Sequence, residues 1–154
     1  DVLSHGFNYR LSDLNCALGL SQLKKINFFL KKRFKIAKKY HEAFENNTYI
    51  RPLHELTKNS SYHLFIVKIN FRSLKISKKD FMIKLSKQNI FTQVHYIPIY
   101  LQPYYQALGF EKGYCPNAEA YYTQAVTLPL FPSLTPSQIS FVADKVKEAR
   151  LLVA

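Results

Sequence analysis

The first third of the chain has a helical pattern of apolar positions, running from Ser12 to about Asn46. Ser12 is a suitable N-cap, and the charge of Asp13 favours the positive end of the helix dipole. The pattern changes near residues 26–27, where we expect a break or a bend. Before this point, apolar side chains occupy nearly every side of the helix, as at a subunit or domain interface. We therefore expect this first half to be covered on several sides, with Cys16 buried and inert.

The second half of this helical region has two distinct faces. One face is apolar, and it comprises Ile26, Leu30, Ala37, Tyr40 and Phe44. Arg33 projects into the middle of this apolar arc. Because an unpaired buried charge is costly, we predict that Arg33 is partly buried and bonded to a carboxylate or to carbonyl groups.

Two later segments have the composition of strands. Residues 62–70 predict a buried strand with apolar side chains on both faces, and residues 91–97 predict a second strand that stops at Pro98. Residues 99–110 are aromatic and interrupted by proline, which predicts a loop with helical turns. Residues 127–132 should be extended.

Three further helix starts can be recognised from capping residues. Ser77 precedes a short helix with Asp80 three residues later, and Asn117 can cap a helix that extends to about residue 125. Thr135 is followed by a proline and by Gln138, which is a strong start signal. This order of elements predicts an α+β fold, with a long helix and a small, mainly antiparallel sheet that has helices packed on one side.

The composition is that of a packed globular protein. The 154 residues are 47% apolar and 15% aromatic, which fits one domain without long disordered stretches. The sequence has no run of 18 apolar residues and no secretory signal, so we expect no segment that spans a membrane. The two cysteines, Cys16 and Cys115, favour a reducing cytoplasmic location, although a single disulfide between them remains open.

The formal net charge of +12 implies affinity for anions. Nucleic acid, an anionic membrane surface and phosphorylated small molecules all fit this charge. Five lysines lie on the face of the long helix opposite its apolar arc: Lys31, Lys32, Lys35, Lys38 and Lys39. Such a stripe is most often a solvated face, but it could also belong to a nucleic-acid-binding module.

General catalytic motifs are missing. The five histidines are scattered, with no metal-ligand spacing, and no glycine-rich phosphate loop is present. The pentapeptide GFNYR, directly ahead of the first helix, is the most unusual local feature. It can serve as a turn and cap, or as an anion site, because a helix start offers free N–H groups.

Four segments in order resemble the DegT/DnrJ family of nucleotide-sugar aminotransferases. They are GFNYRLSDLNCALGLSQLKKI, SYHLFIVKI, QVHYIPIYLQPYY and PNAEAYYTQAVTLPLFPSLT. The resemblance runs from about Asp1 to Val146. It extends to the members that aminate a UDP-linked 4-keto-6-deoxy-N-acetylhexosamine in pseudaminic acid biosynthesis, a route to surface or flagellar glycans.

The resemblance implies a pyridoxal 5′-phosphate (PLP) enzyme of fold type I that works as a homodimer. It would transfer an amino group from a donor such as glutamate to the 4-keto group of the nucleotide sugar. Residues 1–154 would form its C-terminal domain, with residues 1–26 an interface helix segment and residues 27–154 a small α+β domain. No lysine here sits in the family's lysine motif, so we expect the chain alone to be inactive.

The resemblance also gives roles to individual residues. It implies that Asn8 donates its amide to the PLP phosphate of the partner subunit. Arg10 would contact the diphosphate of the sugar nucleotide or the subunit interface. His95 and Tyr96 would contact the sugar at the mouth of the active site. A turn with a helix cap, and a histidine packed in the core, are the alternative interpretations of these segments. For the whole chain, the alternatives are a nucleic-acid-binding module and a purely structural dimerisation domain.

Overall fold

The computed structural model describes residues 3–7 and 9–149, and it begins with two consecutive helices. Helix α1 spans Asp13–Leu23 and helix α2 spans Ile26–Phe44. The side chain of Ser12 accepts a hydrogen bond from the N–H of Asn15, so the predicted cap is confirmed. The break between the helices is confirmed too, slightly earlier than expected.

Three strands form one antiparallel sheet in the order β1–β2–β3. Strand β1 is Ile50–Pro52, β2 is Phe65–Ile69 and β3 is Ala125–Leu128. The antiparallel sheet of the predicted α+β fold is therefore confirmed. The three residues of β1 were not predicted, because so short a segment has no detectable alternation.

The central strand β2 is buried on one face only. Phe65, Val67 and Ile69 point into the core, whereas Ile66 is half-buried and Lys68 is exposed. The expectation of two buried faces for residues 62–70 is therefore wrong. The opposite face of β2 lies open where Lys68 stands.

The predicted strand at residues 91–97 is also wrong. Its backbone pairs with β3 at a single position, Gln93 with Thr127. Beyond Gln93 the chain leaves the sheet, and the side chain of His95 bonds to Thr127 instead. Phe91 and Tyr96 are largely exposed, so the apolar residues of this segment do not mark a buried face.

The remaining helices complete the fold. They are α3 (Phe71–Leu74), α4 (Lys78–Ser86), α5 (Pro103–Ala107), α6 (Pro116–Gln124) and α7 (Pro136–Glu148), with one 3-10 turn at Ile99–Leu101. The turns at 99–110 and the extended start of segment 127–132 agree with the sequence analysis. Asn117 does not cap α6, because the preceding Pro116 already occupies the first helical position and Cys115 takes the cap position.

Local side-chain bonds begin α4 and α7 as predicted. The hydroxyl of Ser77 accepts a hydrogen bond from the N–H of Asp80 at 3.0 Å. Thr135 and Gln138 form a reciprocal capping box at the start of α7. Each of these bonds satisfies an N–H group that the helix itself leaves free.

The hydrophobic core lies between the sheet and helices α2, α4 and α7. Its largest fully buried side chains are Tyr40, Phe44, Phe81, Ile50, Ile69, Leu85, Val67, Val126 and Val146. The hydroxyl of Tyr40 donates a hydrogen bond to the carbonyl of Pro129 at 2.9 Å. This bond ties α2 to the segment that follows β3.

Arg33 agrees with its prediction. It is half-buried in α2, and its guanidinium donates to the carbonyl of Tyr62 at 3.5 Å and lies 3.4 Å from Nδ1 of His63. The charge therefore finds a carbonyl acceptor on the segment that leads into β2.

Helix α1 contributes no buried residue to this core. Its leucines are largely exposed, and Cys16 is exposed as well, so the expectation that Cys16 is buried is wrong for the described part of the chain. Both cysteines are free. Within residues 3–7 and 9–149, no helix combines the length and apolar character needed to cross a bilayer.

Candidate functional site

His95 is held against the outer edge of the sheet. Its Nδ1 lies 2.8 Å from the hydroxyl of Thr127, and the backbones of Gln93 and Thr127 exchange two hydrogen bonds of 2.8 and 3.1 Å. The side chain is half-buried. Thr127 is the buried polar residue of β3, and it points away from the core side chains Val126 and Leu128. The histidine ring therefore has a fixed orientation, set by a hydroxyl on the edge strand β3.

Tyr96 follows directly and faces outward. The peptide bond between His95 and Tyr96 is cis. The Tyr96 side chain is 72% exposed, and its ring meets the His95 ring edge-on at a centroid distance of 4.7 Å. The structure thus brings together two of the residues named from the sequence, a fixed imidazole and an exposed phenol.

A cluster of hydrogen bonds surrounds Tyr100, four residues further on. We define the Tyr100 cluster as Tyr100, Gly113, Cys115 and Glu119. Tyr100 is buried, and its hydroxyl donates to a carboxylate oxygen of Glu119 at 2.7 Å. The same oxygen accepts the N–H of Gly113 at 2.6 Å, while the Tyr100 hydroxyl also contacts the backbone N–H and carbonyl of Cys115. This cluster joins the segment after Tyr96 to the start of α6.

The charge of Glu119 is stabilised in this arrangement. The N–H of Gly113, followed by the hydroxyl of Tyr100, lowers the pKa of the carboxyl group, which is therefore ionised at neutral pH. Burial raises the pKa of Tyr100, and its hydrogen bond to Glu119 raises it further, so the phenol keeps its proton and remains a donor. A phenol and a carboxylate in these states form a charge-assisted hydrogen bond.

The opening segment carries the other candidate residues. Asn8 lies outside the described residues. Arg10 is exposed, and it forms no hydrogen bond or ion pair with any residue within 3–7 and 9–149, including His95 and Tyr96. Arg10 lies in sequence just before α1, whose first turn has free backbone N–H groups. A guanidinium and a helix N-terminus are donors that suit a phosphate group, so the chemistry of this segment fits the phosphate of PLP or of a nucleotide.

In the described part of the chain, two further features concern a metal centre and the lysines on α2. No group of three or more histidine, cysteine or carboxylate side chains there could hold a metal ion. The lysines on α2 are exposed, and Lys38 lies 3.7 Å from Glu42 in a surface ion pair. These side chains form a solvated face, which is the more common arrangement for such a stripe.

Sequence reasoning missed Thr127 and Glu119. Thr127 lies in a segment that predicts only extended structure, and nothing local marks its contact with His95. Glu119 gave a weak signal, because it is the one acidic residue in α6 of a strongly basic chain and follows a tyrosine-rich loop.

The architecture is that of an α+β domain in which one apolar helix, α1, stands apart from the core. The model of the DegT/DnrJ/EryC1/StrS aminotransferase family matches residues 2–147. The chain belongs to this family. The resemblance seen in the four sequence segments is thereby confirmed.

Individual relatives narrow the comparison. The UDP-4-amino-4,6-dideoxy-N-acetyl-beta-L-altrosamine transaminase of Helicobacter pylori is 38% identical over 147 residues, which cover 95% of this chain and 39% of that protein. Helicobacter pylori PseC, an aminotransferase involved in the biosynthesis of pseudoaminic acid, superposes with a TM-score of 0.88 at 37% identity. That match covers 98% of this chain and 40% of PseC. The narrower likeness to the pseudaminic acid enzymes is therefore confirmed as well.

A third relative has been solved in a PLP form. The PLP form of Spr1654 from Streptococcus pneumoniae superposes with a TM-score of 0.88 at 28% identity, covering 100% of this chain and 39% of that one. The chain thus spans about 40% of the length of the proteins that it matches. Its family is one of sugar aminotransferases, and PLP is the cofactor that this relative carries.

Proposed function

We propose that this chain is the C-terminal part of a PLP-dependent aminotransferase that transfers an amino group to the 4-keto group of a UDP-linked sugar. The amino donor would be an amino acid such as glutamate, and the product would serve surface or flagellar glycan biosynthesis in the cytoplasm. The observation that carries the proposal is the match to PseC, at a TM-score of 0.88 over 98% of this chain.

Within this proposal, residues 1–26 form an interface segment and residues 27–154 form the small α+β domain. The exposure of α1 supports this division, because its leucines cover no part of the core. An apolar helix of this kind is stabilised when another surface covers it. In our proposal that surface belongs to the rest of the enzyme, including the second subunit of a homodimer.

Four residues of this chain receive roles. Asn8 donates its amide N–H to the PLP phosphate bound in the partner subunit, and Arg10 pairs with the diphosphate of the nucleotide sugar. His95, oriented by Thr127, hydrogen-bonds the sugar, and the exposed ring of Tyr96 packs beside it. When bound, PLP supplies the electron sink for the amino transfer. The groups of this chain hold the cofactor phosphate and the sugar in place.

The direct test is an amination assay on the full-length gene product. With PLP, glutamate and a UDP-4-keto-6-deoxy-N-acetylhexosamine, we expect formation of the 4-amino sugar, read by mass spectrometry. The isolated 154 residues should form no product and should retain no PLP as an aldimine after gel filtration. Specific retention of PLP on one lysine of the isolated residues, or a full-length protein without aminotransferase activity, would contradict the proposal.

The role of Asn8 has its own test. Asn8→Ala in the full-length protein should weaken PLP affinity about tenfold, the effect of losing one hydrogen bond to a charged group. Asn59→Ala, on an exposed loop, is the matched control and should leave the affinity unchanged. Equal PLP affinities for both variants would remove the assigned role.

The competing class is a basic nucleic-acid-binding module that uses the lysine face of α2. Its affinity for DNA would fall steeply with rising salt. Tight, salt-dependent DNA binding by a protein without aminotransferase activity would favour that class instead.

A further inference from the structure

The segment that carries His95 and Tyr96 is attached to the fold at both of its ends. At the first end, Gln93 and His95 bond to Thr127 of β3. At the second end, the buried Tyr100 bonds to Glu119 of α6. Both anchoring residues come from one continuous stretch, since α6 leads directly into β3.

Tyr96 depends on these anchors. Its side chain is 72% exposed, and the ring of its neighbour His95 is the one aromatic contact that the described residues give it. A side chain with so little packing keeps its position only if the backbone beneath it is held. The bonds to Thr127 hold the backbone on the N-terminal side of Tyr96, and the Tyr100 cluster holds it on the C-terminal side.

The Tyr100 cluster is built to hold a backbone. One oxygen of Glu119 accepts both the Tyr100 hydroxyl, at 2.7 Å, and the N–H of Gly113, at 2.6 Å. Gly113 has a φ of +96°, a backbone conformation that favours glycine. The loop before α6 therefore turns back over the carboxylate of its own helix, and Tyr100 is enclosed between them.

Ring contacts connect Tyr100 to further aromatic side chains nearer the surface. The Tyr100 ring meets the exposed Tyr114 ring at 5.6 Å, and Tyr114 in turn meets Phe110 at 5.1 Å. Edge-to-face pairs of this kind fix the relative orientation of their members. The position of Tyr100 thus influences the positions of Tyr114 and Phe110.

We propose that Glu119 is a positioning residue for nucleotide-sugar binding, acting through Tyr100 on the segment that holds His95 and Tyr96. This inference rests on the proposed function. Glu119 touches no substrate, and its effect is to keep the sugar-contacting side chains in one arrangement before the nucleotide sugar arrives. Preorganisation of this kind lowers the cost of ordering on binding.

The test uses Glu119→Ala in the full-length enzyme, with Glu111→Ala as the matched control. Glu111 is an exposed carboxylate of the same loop, and its side chain is in no hydrogen bond or ion pair of the described residues. We expect Glu119→Ala to raise the KM for the nucleotide sugar about tenfold, with kcat and the KM for glutamate within about twofold of wild type. Glu119→Gln keeps an acceptor oxygen and should restore most of the affinity. Tyr100→Phe should resemble Glu119→Ala.

A merely structural role for Glu119 would give a different result. Loss of folded enzyme lowers the apparent kcat and leaves both KM values unchanged, and this outcome would overturn the proposal. So would a KM for the nucleotide sugar that matches the Glu111→Ala control.

A measurement that needs no activity distinguishes failure of the proposed function from failure of the positioning role of Glu119. If the wild-type protein aminates no nucleotide sugar, amide hydrogen exchange at Leu101 and Gln102, whose N–H groups donate to the carbonyls of Pro98 and Ile99, decides the positioning role. Faster exchange there in Glu119→Ala than in Glu111→Ala, by about tenfold, would support it. Equal exchange in the two variants would overturn it.

Discussion

Replacing Tyr40 by phenylalanine removes one buried oxygen and leaves the aromatic ring in place. Tyr40 is fully buried in α2, and its hydroxyl donates to the carbonyl of Pro129 at 2.9 Å. Burial raises the pKa of this phenol, so it remains a donor over the whole working range of pH. The ring contacts with Phe44 and Phe65, at 6.3 and 5.0 Å, do not need the hydroxyl.

The expected cost follows from the hydrogen bond alone. A typical intramolecular hydrogen bond contributes about 0.5–1.5 kcal/mol net, and a buried acceptor left without a partner costs about 1–3 kcal/mol. Pro129 is only half-buried, so water can partly replace the lost donor. We therefore expect Tyr40→Phe to lower the free energy of unfolding by about 1–2 kcal/mol. For a chain of this length, that corresponds to a fall in Tm of roughly 3–6 °C.

Urea unfolding followed by circular dichroism measures this change. The midpoint should fall while the m value stays the same, because the surface exposed on unfolding is unchanged. Tyr104→Phe is the control: its side chain is 71% exposed, and its removal of a hydroxyl should change stability by less than about 0.5 kcal/mol. If Tyr40→Phe unfolds at the same urea concentration as wild type, the bond to Pro129 contributes nothing net and our reasoning is refuted.

Three further changes test other contacts of the fold. Burial lowers the pKa of His41, an effect that Glu55 opposes. The contribution of His41 to the free energy of unfolding is therefore complete above about pH 6.5 and is lost as the pH falls towards the folded-state pKa. His41→Gln should flatten the pH dependence of the urea midpoint between pH 7.5 and 5. Lys78 donates to the carbonyl of Tyr122 at 2.6 Å, so Lys78→Met should destabilise by about 1–2 kcal/mol, whereas a similar loss in the exposed Lys79→Met would contradict this assignment. Thr135→Ala should cost about 1 kcal/mol by removing the cap of α7, and Thr135→Ser should restore most of it in the same urea assay.

Helix starts were predictable because their causes are local. Ser12, Ser77 and Thr135 each bond to an N–H three residues ahead, so a window of four residues contains the whole interaction. Arg33 was predictable for a related reason. Its place in an apolar arc requires an acceptor whatever the rest of the fold is, although the sequence could not identify Tyr62 as the one that supplies it.

Interactions between segments far apart in the chain could not be predicted from the sequence. Residues 91–97 have the composition of a strand, but a strand also needs a neighbouring backbone, and β3 offers pairing only at Thr127. The apolar pattern of α1 predicts burial, yet the surface that would cover it is not among the described residues. Local pattern specifies what a segment needs and leaves open what meets that need.

The candidate site shows the same limit. His95 and Tyr96 were named because a family resemblance assigns them, and the residue types alone do not give them a role. Thr127, the partner of His95, is 32 residues away from it, and Glu119, the partner of Tyr100, is 19 residues away from that tyrosine. Contacts of that separation follow from the topology, in which α6 and β3 lie beside the segment that carries His95 and Tyr96.

The turn at Lys24 and Lys25, between α1 and α2, separates a helix without core contacts from the part of the chain that forms the core. Every described residue of the core lies after this turn, so substitutions in α1 leave the contacts of the core unchanged. In the assembly that we propose, the 11 positions of α1 can therefore diverge to fit a different neighbouring surface, while the anchors of the segment around His95 are inherited intact.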